Sequence, residues 1–194
     1  MKNKFLKGVV ASFALAVSGI ANAGLITLDF DSLEQVNNSG VGSSYAEEGF
    51  LLSASNLFTI GTSDFRYTGS VSLLDNTVNG ITQLTKIGGG TFDLFSIDVA
   101  ELNGPNVASI TFTRDGGHSQ TFTLDGDSFG VETFFFNSGF LGATTISWVQ
   151  QNPYHQFDNI KISQEISEVP EPSTLAVFAL GLMGLASRKF TKQA

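Results

Sequence analysis

The 194-residue sequence contains no cysteine. Disulfides, iron–sulfur centres, cysteine zinc sites and thiol catalysis are excluded together, and the chain stabilises itself without cross-links. Basic residues are almost as scarce in its middle. Between Asp29 and Glu171 stand only Arg66, Lys86, Arg114 and Lys161, against all eighteen acidic residues, a net charge of −14. Such a surface repels phosphate backbones and has no basic patch to neutralise them, which excludes nucleic-acid partners. It suits solubility and is compatible with divalent cations. Imidazoles number two. His118 lies in a glycine-rich turn and His155 follows Asn152-Pro153-Tyr154. Neither belongs to an HExxH motif or accompanies a Gly-x-Ser-x-Gly elbow, so a secreted hydrolase is a distant alternative.

The basic residues absent from the middle collect at the two ends. Lys2, Lys4 and Lys7 precede an apolar run from Val9 to Ile20, and Ala21-Asn22-Ala23 supplies a small-x-small cleavage site. This is the pattern of a secretory signal peptide over 1–23, with Gly24 as the first mature residue after signal peptidase. At the other end, Pro170 and Pro172 hold the chain extended. Ser173 or Thr174 then caps a predicted helix over the apolar stretch Leu175 to Ala186, and Arg188, Lys189 and Lys192 close it with positive charge. Twelve or thirteen helical residues span roughly 20 Å against a hydrocarbon core of about 30 Å, too short for a comfortable permanent anchor. The segment reads as a transient membrane hold that an enzyme removes.

Val169-Pro-Glu-Pro172, the apolar segment with Gly181 and Gly184, and the closing Arg188-Lys189 resemble a PEP-CTERM sorting signal. The resemblance covers about the last 25 residues. It implies handling by an exosortase, a membrane protease or transpeptidase of Gram-negative bacteria, at Pro170-Glu171-Pro172. By the same resemblance the precursor is held in the inner membrane, and the product reaches the cell surface, the extracellular matrix or the medium.

The middle is a sheet protein. In Leu25-Ile-Thr-Leu-Asp-Phe30, the side chains of Ile26, Leu28 and Phe30 share one face. Ile110 with Phe112, Phe122 with Leu124, and Ile146 with Trp148 repeat the pattern. Arg114-Asp-Gly-Gly-His-Ser119 supplies a turn, so 107–124 reads as a hairpin. In Thr91 to Val99 the apolar phase switches between Leu94 and Phe95, which predicts a β-bulge there or a strand covered on both sides. Phe134-Phe-Phe136 poses the same question. Asp31 to Glu48, rich in Asn, Ser and Gly, is expected to be an excursion at one end. About ten such runs, with fourteen of eighteen phenylalanines among them, favour two packed antiparallel sheets over one open sheet. The expected fold is an antiparallel, jelly-roll-like β-sandwich over 24–163. A signal helix and a short C-terminal hydrophobic helix over 173–194 flank it, with a linker over 164–172. The order Leu28-Asp-Phe-Asp31, Tyr45 with Gly49-Phe50, Gly90-Thr-Phe-Asp-Leu94, and Gln156-Phe-Asp-Asn-Ile160 is similar to a jelly-roll module found ahead of such tails. That likeness implies a structural or glycan-binding role.

Acids carry the remaining candidates. Asp29 with Asp31, Glu47 with Glu48, and Asp125 with Asp127 are the paired carboxylates that glycoside hydrolysis would need. A regular strand over 158–162 puts Asp158 on the face of Ile160 and Ile162, where a carboxylate must be paired, hydrogen-bonded or metal-bound. Asp158 is therefore expected to be a hydrogen-bonded carboxylate, with a structural Ca²⁺ held by Asp31, Glu48, Asp158 and backbone carbonyls as the alternative. Among Tyr45, Tyr67, Trp148 and Tyr154, Trp148 reads as core and Tyr154 as the exposed platform for a sugar ring. The sequence thus points to an exported, non-catalytic surface or matrix protein, with a carbohydrate-binding module as runner-up. Mass spectrometry of the protein from exosortase-bearing cells should find Gly24 at the N-terminus and a C-terminus near Pro170-Glu171-Pro172. Recovery of intact Met1 and Ala194 would contradict this.

Overall fold

The computed structural model describes residues 24–34, 38–104, 107–126 and 129–164. The signal segment, residues 165–172 with Pro170, Glu171 and Pro172, the C-terminal segment expected to be helical with Arg188 and Lys189, and Asp127 lie outside the described residues; Gln164, expected in the linker, closes the last strand. Among the described residues no helix is long and apolar enough to cross a membrane.

Gly24–Glu165 forms one compact unit. Its strands are β1 (Leu25–Leu28), β2 (Gly40–Glu47), β3 (Phe50–Ile60), β4 (Ser72–Asp75), β5 (Ile81–Lys86), β6 (Phe92–Glu101), β7 (Ser109–Arg114), β8 (Ser119–Thr123), β9 (Glu132–Phe135), β10 (Thr145–Val149) and β11 (His155–Gln164). Every pairing between them is antiparallel. The hydrogen-bonded path runs β8-β7-β10-β5-β3-β4-β11-β6-β9, with β1 added to β11 and β2 to β3.

This path folds into two layers because β3 changes partner along its length. Phe50 to Ser53 pair with β5, and Leu57 to Ile60 pair with β4. One layer is therefore β8-β7-β10-β5 with the first part of β3. The other is the last part of β3 with β4, β11, β6 and β9, and β1 continues the edge of β11 beyond β4. At the changeover the amides of Ser55 and Asn56 donate to the carboxylate of Asp75, at 3.1 and 3.0 Å. Asp75 is wholly buried. Gly80 leaves room for it, since a Cβ there would meet its Oδ2 at 2.1 Å. A side-chain acceptor thus takes over where the ladder has none, as buried amides require.

Aromatic rings join the layers. Trp148 of β10 meets Phe157 of β11 at 5.0 Å between centroids, and Phe50 of β3 meets Phe92 of β6 at 5.3 Å. At the far edge, Phe122 of β8 stacks on Phe134 of β9 at 4.5 Å. Edge-to-face and stacked pairs of this kind add about 0.5–1.5 kcal/mol each beyond the area they bury. Trp148 is core, as its alternation with Ile146 predicts.

The bulge expected near Phe95 is present. Lys161 pairs with Ser96 and Ile162 with Leu94, which makes Phe95 the extra residue of β6. Phe92, Leu94, Ile97 and Val99 all reach the core, while Phe95 itself stays 39% exposed. The triple phenylalanine resolves by plain alternation: Phe134 and Phe136 pack inward and Phe135 points out. The excursion expected over Asp31 to Glu48 is corrected in part. Gly40–Glu47 is a strand whose residues are exposed or half-buried, so its apolar signal is weak. Phe30 does not extend β1, because its φ of 56° turns the chain into a short 3₁₀ turn over Asp31–Leu33.

Asp75→Ala removes the acceptor shared by the Ser55 and Asn56 amides and should lower stability by about 1–3 kcal/mol, since these exposed residues let water replace part of what the carboxylate supplied. Urea unfolding measures it. An unchanged midpoint would show that the changeover does not depend on this carboxylate.

Candidate functional site

A second bulge lies in β11. Asp158 pairs with Asp98 and Lys161 with Ser96, leaving one extra residue around Asn159, whose φ is 46°. Asparagine tolerates this left-handed conformation better than most residues. The bulge reverses the phase of the strand: Phe157 and Ile160 both reach the core. Asp158 therefore does not share the face of Ile160, as a regular strand would require. It stands with its cross-strand neighbour Asp98 on the outer face, beneath Ser70, and is only 5% exposed.

The side chains there form one network. Ser70 Oγ donates to Asp158 Oδ2. The Asn159 amide N–H donates to Asp158 Oδ1 at 2.7 Å. Asn159 Nδ2 bridges the two acids, at 3.2 Å from Asp158 Oδ2 and 3.0 Å from Asp98 Oδ2. Thr133 Oγ1 donates to Asp98 Oδ1 at 2.6 Å. These residues border a cleft of about 210 Å³, whose walls include Thr68, Gln156 and Val131. Gln156 is fixed in turn by Ser72 and by the carbonyl of Arg66. Phe65 and Phe129 lie within three residues of the lining residues Thr68 and Val131, and their rings meet at 5.5 Å. Phe65 is 80% exposed.

Burial, followed by the nearby negative charges of Asp98 and Asp31, raises the Asp158 carboxyl from 3.8 to about 7, against the pull of its donors. Burial also raises Glu47 to about 7, helped by Asp29. Two acids are thus poised to hold a proton near neutrality, chiefly because burial disfavours their charged form.

The expected calcium ligands are divided. Asp31 is near enough to Asp158 to influence it electrostatically. Glu48 is exposed at the tight turn between β2 and β3, with φ 47°, and its neighbour Glu47 is the one that turns inward, to the amide of Phe30 at 3.3 Å. Among the described residues, the three carboxylates brought within 4.8 Å of one another are instead Glu101, Asp125 and Glu132. Spacing in sequence gives no hint of that set, because β6 and the β8–β9 connection meet only in the folded sheet.

The aromatic and imidazole candidates have structural partners. Tyr154 packs half-buried against the small cluster of Ile60, Leu74 and Leu102. Tyr45 donates or accepts a hydrogen bond with Ser32 at 2.6 Å and lies edge-on to Phe30. His118 Nε2 is 3.0 Å from Asn137 Oδ1, with its ring against Phe140. His155 is buried, and burial lowers its pKa to about 3, which keeps it neutral. Phe65, three residues from the lining residue Thr68, is an exposed aromatic. An isolated phenylalanine in Ser-Asp-Phe-Arg gave no sequence signal for it.

Residues 168–189 match the PEP-CTERM protein-sorting motif. The chain carries a C-terminal sorting signal. With it, the protein reads as exported. No curated protein matches the chain. Solved structures of weak similarity include a family 29 carbohydrate-binding module from Piromyces equi, at 13% identity and TM-score 0.39, covering 72% of this chain and 97% of that one. The Podospora anserina GH26-CBM35 β-(1,4)-mannanase has 14% identity and TM-score 0.42, covering 77% of this chain but 29% of the enzyme. The catalytic domain of a GH87 α-1,3-glucanase in complex with nigerose has 11% identity and TM-score 0.40, covering 79% of this chain and 31% of that one. At such scores none of these likenesses carries an argument, and the two-layer architecture rests on the pairing and packing above.

The raised Asp158 fixes a sign. An acid whose pKa is higher folded than unfolded contributes stability that is full below 3.8 and is lost as pH rises toward about 7. His155 acts oppositely, losing stability as pH falls from 6.5 toward about 3. Asp158→Asn shares the histidine and lacks the acid. Its stability relative to the unsubstituted protein should therefore improve by up to about 1.4 kcal/mol per pH unit between these carboxyl values. Thermal melts across that range test it, and parallel pH profiles would contradict it.

Proposed function

We propose that the protein is a non-catalytic component of the cell exterior, its β-sandwich held at the inner membrane by the C-terminal segment until an exosortase acts near Pro170-Glu171-Pro172. The observation that carries this reading is the sorting motif over 168–189, placed after a single folded unit. Both imidazoles support the non-catalytic part, one being buried and neutral and the other engaged with Asn137. Signal peptidase and the exosortase are the processing partners, and the surface or matrix is the destination. Fractionation of cells making the full chain should recover the processed protein from the surface or the medium. Recovery in the cytoplasm would overturn the reading.

The cleft favours a second reading, in which the sandwich binds a neutral glycan. Asp98, Asp158, Asn159 and Ser70 offer acceptors and donors suited to sugar hydroxyls, and Phe65, 80% exposed and three residues from the lining residue Thr68, offers a stacking surface. The charge of −14 carried between Asp29 and Glu171 disfavours anionic polysaccharides. In affinity electrophoresis, a neutral matrix polysaccharide should retard the protein, and Phe65→Ala should abolish the retardation with an unchanged melting temperature. Equal migration of the two forms in every neutral polysaccharide would dispose of the glycan reading.

A further inference from the structure

We propose that Glu101, Asp125 and Glu132 hold a calcium ion, at a site separate from the Asp98–Asp158 cleft. Glu101 is the last residue of β6, Asp125 follows β8, and Glu132 opens β9. One carboxylate oxygen from each falls within 4.8 Å of the others. Two oxygens on opposite sides of a Ca²⁺ bound at 2.3–2.6 Å stand about 4.6–5.2 Å apart, so a single ion spans the set.

The independent sign is the state of Glu101. It is wholly buried. Its Oε1 accepts the amide of Gly126 at 3.0 Å, and its Oε2 has no hydrogen-bond partner among the described residues. An ionised carboxylate buried with an unsatisfied oxygen is costly, and the cost is relieved by a proton or a cation. The protein supplies few cations. Arg66 is engaged with Asp64, and Arg114 with Asp115 and three carbonyls. Glu132 Oε1 also accepts the amide of Asp125 at 2.8 Å, which ties two ligands into one short connection. Hard carboxylate oxygens and the absence of nitrogen or sulfur from the set select calcium over zinc or copper. The ion would clamp the β8–β9 connection to the end of β6.

The test uses the full-length purified protein stripped of metal with EDTA. Adding about 10 mM Ca²⁺ should raise its melting temperature by roughly 5 °C, as a dissociation constant of about 0.1–1 mM implies. Calorimetry should show one ion per chain. Glu101→Gln keeps the acceptor for Gly126 and removes the charge. Its metal-free melting temperature should equal or exceed that of the metal-free parent, while its calcium response disappears; this separates loss of the site from loss of the fold. Asp158→Asn should retain the full calcium response. The proposal is overturned if calcium leaves the parent unchanged, if Glu101→Gln responds as the parent does, or if Asp158→Asn alone abolishes the response. An equal response to Mg²⁺ would overturn the choice of ion.

Discussion

The carboxylates of this domain are held by backbone amides, and much of the structure follows from that. With four cations for fifteen acids over residues 24–164, ion pairing cannot be the general solution. Asp75 takes the amides of Ser55 and Asn56, Glu47 that of Phe30, Asp93 that of Gly142, and Asp115 those of Thr144 and Thr145. Each acid replaces a ladder partner at a place where a strand ends, turns or changes sheet. Charge-assisted bonds to amides are stronger than neutral ones, so an acidic sequence gains rigid corners without lysine or arginine. The same economy sets its limits. Where amides and hydroxyls are too few to offset burial, as at Asp158 and Glu47, the acid retains its proton near neutrality.

Two bulges convert this framework into a surface with chemistry. Phe95 is extra in β6 and Asn159 is extra in β11, on the same pair of strands. The first keeps both halves of β6 on the core. The second turns Asp158 outward beside Asp98 and lets one asparagine side chain join the two acids. Bulges re-aim side chains at functional edges in this way. The cleft beside them is small, and its walls mix polar groups such as Asp98, Asp158, Asn159 and Gln156 with apolar Val99, Val131 and Phe157.

The strands of the core were legible because their alternation is strong: Ile110 with Phe112 and Ile146 with Trp148 lie where period two places them. The bulge near Phe95 was legible too, from a phase change among large apolar residues. The strand β2 was not, since most of it faces water and its polar residues mimic a loop. The phase change in β11 was invisible because Asp158 and Asn159 are both polar, so no apolar pattern breaks there. Glu101, Asp125 and Glu132 converge through sheet topology, which local sequence does not encode. Tyr154, expected to be exposed, packs instead against Ile60, Leu74 and Leu102, since exposure depends on which segments pack above a residue.

Amide hydrogen exchange resolved by residue tests the carboxylate account most directly. Ser55, Asn56 and Gly126 lack a strand partner for their N–H groups but are held by Asp75 and Glu101. The account predicts that these amides exchange as slowly as those inside β3 and β6. Exchange at the rate of exposed turns, with the neighbouring strands still protected, would contradict it.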